Sequence, residues 1–361
     1  MAAQVPPTSG TSPSPWSTVL GAAALLTVLT AVLLTAFAWP SVRASVQDLP
    51  IAVAGPPAAV AQVSAALDRQ LPDGFRVTAV PDTAAAERLI RDRKVYGAID
   101  LSSGTPKVII ASAGSAAVAQ TLQSVASGLG RAQADDAGTP VAVRDLAAFP
   151  ADDPRGAGLV AGALPLVMGG LLAAFLLTNL VRGIARRVTG ALVFASMGGL
   201  AVVAILQYWL GSLDGSFWAN SGAVALGIAA TSLTILGLRS LLGYAGFGLG
   251  AVTMMLIGNP LSGSSTAPEM LPGWSGALGQ LLPPGASGQL LRSTGFFDGH
   301  GIAQPVIVLG SWLALGLALC FAGALRARRP AGLVTGAAAA PQRPHPAPTD
   351  SADGTAEANN S

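Results

Sequence analysis

Residues 157–180 read AGLVAGALPLVMGGLLAAFLLTNL, a stretch without a charged side chain that lies between Arg155 and Arg182. A helix that crosses the hydrocarbon core of a bilayer needs about 20 apolar residues, because the core is about 30 Å thick and each residue rises about 1.5 Å. This stretch is long enough, so it predicts a transmembrane helix.

Five further apolar stretches resemble the first in length and character. Together they predict six transmembrane helices, over residues 18–38, 157–180, 188–210, 219–238, 240–258 and 302–324. Of the 361 residues, 51% are hydrophobic and 11% are charged, whereas a soluble domain has about 25% charged residues. The expected fold class is a polytopic α-helical membrane protein. One extracytoplasmic α/β domain would lie between helices 1 and 2, and residues 157–324 would form a five-helix transmembrane domain.

The placement of arginines predicts the orientation in the membrane. Basic side chains follow helices 2, 4 and 6, at Arg182, Arg186, Arg187, Arg239, Arg326, Arg328 and Arg329. Because basic loops remain in the cytoplasm, we expect both termini in the cytoplasm and residues 40–155 outside. The expected location is a bacterial plasma membrane.

The N-terminal helix has two interpretations. Ala36-Phe37-Ala38 resembles a signal-peptide cleavage site. A retained anchor is favoured, because residues 1–17 carry no positive side chain and the apolar stretch is longer than a signal-peptide core. Residues 1–17 and 330–361 predict disordered cytoplasmic tails, since their composition offers little to pack.

Residues 45–150 have more charge and shorter periodicities than the rest of the chain. Strands are predicted over residues 50–55, 75–80, 95–101, 107–111 and 141–147, and helices over residues 58–71, 83–93 and 115–131. Strands that alternate with helices indicate an α/β domain. Its carboxylates are scattered and it lacks histidine, so no metal site is expected.

The composition also argues against several activities. A net charge of +2 gives no electrostatic case for binding nucleic acid. The chain lacks a Gly-x-x-x-x-Gly-Lys-[Ser/Thr] phosphate loop, so no cofactor is expected and any ATP would be bound by a partner subunit. The predicted helices contain no Asp, Glu, Lys or His that could relay ions. We therefore predict that the protein is not an enzyme.

Residues 259–301 are semi-apolar and are repeatedly broken by Pro and Gly. They predict a re-entrant segment at the mouth of a pathway, because a broken helix at membrane depth must be covered by protein or line a cavity. An interfacial stretch on the headgroups is the alternative. The residues singled out here are Asn259, Pro260, Glu269, Pro283, Pro284, Gly285 and Arg292. In the preceding helix, Gly246 and Gly250 predict a close helix–helix contact.

This layout resembles the permeases of bacterial ABC type-2 exporters, in an actinobacterial-like form related to the phage-infection-protein (Pip/YhgE) family. The resemblance covers about residues 15–328. It is carried by Val95-Tyr96-Gly97-Ala98-Ile99, Ile109-Ile110-Ala111-Ser112-Ala113, Gly258-Asn259-Pro260-Leu261-Ser262-Gly263 and Leu282-Pro283-Pro284-Gly285-Ala286.

The resemblance implies a permease subunit that moves a substrate out of the cytoplasm or inner leaflet. It also implies a homodimer or a heterodimer with a sister permease, surrounded by membrane lipid and driven by a separate ABC ATPase subunit. Arg182, Arg186 and Arg187 would then form the ATPase-docking loop. The alternative is a non-transporting scaffold or receptor, such as an accessory component of a secretion system that acts through its extracytoplasmic domain.

Overall fold

The computed structural model describes residues 14–132 and 141–328 and is mostly helical (68%), with one small sheet. In chain order its helices and strands are α1 Trp16–Val42, β1 Leu49–Ala54, α2 Pro57–Gln70, β2 Phe75–Val80, α3 Thr83–Arg91, β3 Gly97–Asp100, β4 Lys107–Ile110, α4 Ala116–Ala132, β5 Ala142–Asp145, α5 Ala157–Leu180, α6 Ile184–Ala204, α7 Phe217–Leu242, α8 Tyr244–Ala251, α9 Ser275–Gln280, α10 Pro283–Phe296 and α11 Ala303–Arg328. The predicted disordered tails lie outside the described residues, except that α1 already begins at Trp16.

Within residues 14–132 and 141–328, five helices are long and apolar enough to cross a membrane: α1, α5, α6 with its π-helical extension to Trp209, α7 and α11. The predicted fifth span is shorter. It comprises α8 and a π-helical turn over Val252–Gly258, a length of about 22 Å at 1.5 Å per residue. The apolar helices are compatible with a multi-pass membrane protein, and a sixth span remains a prediction.

Several helices extend beyond their predicted spans, and in α6 and α7 the added turns contain arginines. α6 begins at Ile184 rather than at residue 188, so Arg186 and Arg187 belong to its first turn. α7 continues through Arg239, which was expected to separate two spans, and ends at Leu242; the next residue, Gly243, has φ +66°. An arginine continues a helix readily, whereas Gly243 adopts a left-handed φ that favours glycine.

The sheet has the strand order β2-β1-β3-β4-β5. β1 pairs in parallel with β2 and β3, β3 and β4 form an antiparallel hairpin, and β4 pairs in parallel with β5. Every residue of β1 is buried, as expected for a strand covered on both faces. One face packs on α2 and α4 through Ile51, Val60 and Leu122, and the other packs on α3 through Ala52 and Ile90. The α/β alternation predicted for residues 45–150 is present. Its strands and helices begin and end within two residues of the predicted positions.

α7 is the central helix of the bundle. It packs against α5, α6, α8, α10 and α11 and is buried along most of its length. Its contact with α11 is close, because a Cβ added at Gly237 would lie 2.6 Å from the Gly316 carbonyl oxygen. Hydroxyls bridge the same pair, since Thr234 Oγ1 donates to the Trp312 carbonyl at 3.1 Å. Small and hydroxyl-bearing residues of this kind let apolar helices approach one another.

Gly246 and Gly250 lie on the face of α8 that packs on α7. A Cβ at Gly246 would overlap the Leu238 carbonyl, and one at Gly250 would lie 2.9 Å from Ile235. Gly248, between them, faces open space. The two glycines named in the sequence therefore lie where α8 folds back along α7.

α9 and α10 form a hairpin that packs on α7 and α11 through α10, which we call the broken hairpin (residues 275–296). Trp312 Nε1 donates to the Leu281 carbonyl at its bend, at 2.8 Å. Trp312 is nine residues into α11, so the bend lies about 14 Å along that helix. α10 then runs back antiparallel to α7, from the level of Gly227, opposite Ser287, to that of Gly215, opposite Thr294.

Candidate functional site

The broken hairpin begins its second helix with two prolines. Pro283 and Pro284 stand in the first turn of α10, where the missing N–H groups cost no helical hydrogen bond. Both are buried, and Pro284 Cγ would lie 2.8 Å from a Cβ at Gly258. Gly285 is also buried against the Gly279 carbonyl. The proline-rich motif of the sequence is therefore the packed start of α10, at the deep end of the hairpin.

Arg292 lies on α10 and is buried, with 5% of its surface exposed. One guanidinium nitrogen, Nη2, donates to the Ser264 carbonyl at 2.5 Å, while Nε is buried and has no hydrogen-bond partner. Among the described residues, no carboxylate forms an ion pair with it. A buried cation without a carboxylate partner is costly, so this group is a functional candidate.

A cavity of about 40 Å³ lies beside Arg292, between α5, α7 and α10. This is room for about three waters, at about 10–15 Å³ each. Most of the lining side chains are apolar, and the polar ones are Thr231, Asn259, Ser264, Ser287 and Arg292. Of the residues predicted for the pathway mouth, the structure thus brings Asn259, Pro284 and Arg292 to one cavity.

Glu269 and Pro260 lie elsewhere in the segment. Pro260 begins a 3₁₀ turn over Pro260–Ser262. Glu269 stands in a second 3₁₀ turn, and its Oε2 accepts a hydrogen bond from the Tyr96 hydroxyl of the sheet domain at 2.7 Å. Burial, with Glu269 alongside, raises the pKa of Tyr96 well above its ordinary value. The phenol therefore stays neutral and donates to the carboxylate.

Arg93 links the sheet domain to α10. Its Nη1 donates to the Gln289 carbonyl at 2.9 Å and to Ser293 Oγ at 2.6 Å, and its Nη2 donates to Gln289 Oε1. Its guanidinium carbon also lies 5.0 Å from the ring centre of Phe297. Burial and the charge of Arg292 lower the pKa of Arg93 to about 10. We call this set of contacts, together with Tyr96–Glu269, the junction.

The backbone at the end of α3 positions Arg93. The Arg93 N–H donates to the Ile90 carbonyl, and the Lys94 N–H donates to the Leu89 carbonyl. This is a Schellman cap, in which glycine is usual at the left-handed position. Arg93 occupies that position with φ +56°. A non-glycine residue there costs about 1 kcal/mol, which indicates that the side chain is needed.

The arginines predicted for ATPase docking lie at the other end of the bundle. Arg182 and Arg186 are exposed around the three-residue turn between α5 and α6. Arg187 is engaged, because its Nε donates to the Val181 carbonyl at 2.7 Å and its Nη2 to the Thr178 carbonyl at 2.8 Å. A basic side chain on these carbonyls stabilises the end of α5. The structure therefore separates Arg187 from the two exposed arginines.

Sequence reasoning missed Arg93, Gln289 and Ser293. Arg93 is about 200 residues from the other two in the chain, and none of the three belongs to a recognisable motif. Tyr96 was noted only as part of the resemblance. The one available signal was a basic residue in the last turn of the helix predicted over residues 83–93, which is typical of a helix end.

Comparisons with protein-family models, with curated proteins and with solved structures found no match. Over residues 14–132 and 141–328, no group of three His, Cys, Asp or Glu side chains is placed to hold a metal ion. The proposals below rest on the junction, the broken hairpin and the cavity.

Proposed function

We propose that the protein is the membrane-spanning permease subunit of an ATP-driven exporter of the ABC type-2 kind, working with a separate ATPase. The observation that supports this most is the broken hairpin, whose bend lies about 14 Å along α11 and whose second helix carries the buried Arg292. Non-helical backbone at that depth is tolerated where protein covers it or a cavity adjoins it. Pro283 and Pro284, which follow the bend, are buried, and the cavity adjoins Pro284, which supports the re-entrant interpretation over the interfacial one.

The proposed orientation follows from the two ends of the bundle. The sheet domain meets the bundle where α10 ends, through Arg93 and Ser293. The exposed Arg182 and Arg186 lie at the opposite end. By the positive-inside preference, the arginine end would be cytoplasmic, both termini would lie there, and the sheet domain would face outward from a bacterial plasma membrane.

The junction provides a route by which movement could pass between the two parts. Arg93 holds two successive turns of α10 through Gln289 and Ser293. α10 in turn forms a wall of the cavity and packs on α5, α7 and α11. In the proposed exporter, a shift of the bundle that opens the cavity would therefore carry the sheet domain with it. The chain itself would perform no chemistry.

The test is co-purification of the full-length protein in mild detergent, with mass spectrometry of the bound proteins. We expect a stoichiometric ABC ATPase. The double variant Arg182→Ala, Arg186→Ala should lose it while keeping its melting temperature. Arg187→Ala is the matched control, because that side chain caps α5; it should lower stability and retain the ATPase in the folded fraction. Recovery of no ATPase from the wild-type protein would refute the exporter.

A scaffold or receptor is the second candidate, and one observation favours it. A cleft of about 690 Å³ lies at the carboxyl ends of β1 and β2, lined by Gly55, Val60, Ala61, Val80 and Ser102. In open α/β sheets, ligands bind at this edge. If the cleft holds a partner, Ala61→Arg should abolish partner capture. The same variant should leave ATPase capture unchanged if the exporter is correct.

A further inference from the structure

Arg292 lines the cavity and carries a buried N–H group without a hydrogen-bond partner in the described chain. Only 5% of the surface of this residue is exposed. Nη2 is held by the Ser264 carbonyl, so the guanidinium is fixed in one orientation, and Nε has no partner within the described chain. No nearby group offsets the charge of Arg292. The Glu269 carboxylate already accepts a hydrogen bond from Tyr96, and the neighbouring Arg93 carries the same charge as Arg292. The site therefore has net positive charge and a free N–H donor.

The chemistry of an arginine edge favours one class of ligand. A guanidinium offers planar, parallel N–H donors that match the oxygens of a phosphate or carboxylate. The hydroxyls of Thr231, Ser264 and Ser287 also line the cavity. A group with several oxygens and negative charge would accept from the guanidinium and neutralise the buried charge together, which water alone cannot do.

The walls add a second requirement. Leu159, Leu166, Val167, Val224, Ile228 and Leu291 line the same space. The cavity has about 40 Å³, which suits a small headgroup and excludes an acyl chain. Ala163 on α5 and Gly288 on α10 are lining residues that are only partly buried. These two residues mark the part of the cavity lining that lies nearest the outer surface of the bundle.

We propose that the Arg292 cavity binds the oxyanion headgroup of an amphiphile, with the apolar tail leaving past Ala163 along the outside of α5. The headgroup oxygens accept from the Arg292 guanidinium, and the tail covers the apolar rim. This binding is independent of whether the amphiphile is exported or resides in the site.

The experiment is a binding titration of the purified full-length protein in mild detergent, with no ATPase present. The probe is dioctanoyl phosphatidic acid, which carries a phosphate on short tails. Dioctanoylglycerol supplies the tails alone and inorganic phosphate the oxyanion alone. We expect saturable binding of the phosphatidic acid and much weaker binding of the other two. Equal affinity for dioctanoylglycerol or for inorganic phosphate would overturn the proposal.

Two variants from different walls test the location. Arg292→Gln removes the charge and should weaken phosphatidic acid binding about tenfold to a hundredfold, the range for a hydrogen bond to a charged group. Exposed Arg69→Gln is its control. Ala163→Leu fills the rim without touching Arg292 and should weaken binding about tenfold. The same change at exposed Ala161 should have no effect.

The variants also separate a folding defect from a wrong site. If Arg292→Gln does not fold, Ala163→Leu alone tests the location of the site. This variant is expected to fold, because position 163 is partly exposed and can accommodate a larger side chain. Unchanged binding in Ala163→Leu, or in a folded Arg292→Gln, would overturn the site. A failed search for an ATPase leaves this result intact, so the two proposals can fail separately.

Discussion

Arg93→Ala is the change that best tests the junction. The wild-type side chain makes three hydrogen bonds to α10, all from one charged group. Each such bond contributes about 1.5 kcal/mol or more. Desolvation of the guanidinium, which also lowers the pKa of Arg93, offsets part of this gain. We therefore expect a net loss of about 2 kcal/mol of local stability, or about a thirtyfold increase in the opening equilibrium of α10.

Hydrogen exchange of the full-length protein, read by mass spectrometry, measures that opening region by region. Peptides covering residues 289–297 should exchange about thirtyfold faster in Arg93→Ala than in the wild type. Arg91→Ala is the matched control, because Arg91 is half-exposed and pairs with Glu87 on the same helix. An exposed pair contributes about 0–1 kcal/mol, so α10 should be nearly unaffected.

Arg93→Gly separates the side chain from the backbone. Glycine removes the same contacts but relieves the left-handed conformation at φ +56°, a gain of about 1 kcal/mol. α10 should open as in Arg93→Ala, while residues 89–95 are better protected than in that variant. If residues 289–297 exchange at the wild-type rate in both variants, Arg93 is only a helix cap and the coupling argument is wrong.

Three further outcomes are expected from melting and titration of the full-length protein in detergent. Tyr96→Phe should lower the free energy of unfolding by about 1–2 kcal/mol, because Glu269 loses its hydrogen-bond donor. The tyrosinate absorbance of this variant at pH 10.5 should nevertheless match that of the wild type, since the raised pKa keeps Tyr96 neutral at that pH. A loss of one third of the signal from the three tyrosines would contradict this. Gly246→Ala should destabilise by about 1–3 kcal/mol through its backbone clash, whereas Gly248→Ala, facing open space, should be neutral or slightly stabilising; equal effects would refute the packing argument. Burial raises the pKa of Asp100, but hydrogen bonds from neighbouring side chains outweigh burial and lower the pKa overall. The ionised Asp100 therefore stabilises the fold above about pH 4, and this stabilisation is lost on further acidification. Asp100→Asn should reduce the loss of stability in acid, and an equal fall in melting temperature for variant and wild type between pH 5 and pH 2.5 would count against this prediction.

The local elements were readable from the sequence because their patterns depend on near neighbours. The uncharged run at residues 157–180 became α5 with the predicted bounds. The strands of the sheet domain were found because β-rich segments alternate with helical periodicity. The errors occurred where neighbours do not decide, as at Arg239, which continues α7 although a charge within an apolar run resembles a loop.

The candidate site could be predicted only in part. The sequence marked Arg292 and the prolines as unusual, since a charge and helix breakers in an apolar context are costly. It contained no sign that Arg93 would meet Gln289 and Ser293. A hydrogen bond between groups so far apart leaves no periodicity, because its geometry depends on the packing of the whole chain.

By itself, the sequence determined the class of protein, the sheet domain and the helices that could cross a membrane, since hydrophobicity and propensity are properties of contiguous residues. Only the tertiary structure decided that α10 packs among the long helices and that Arg292 lines a cavity without a carboxylate partner among the described residues. It also decided that the sheet domain contacts α10 through Arg93, whose backbone has a left-handed φ of +56°. Burial and pairing arise from the positions of distant segments in space, which neighbouring residues do not specify.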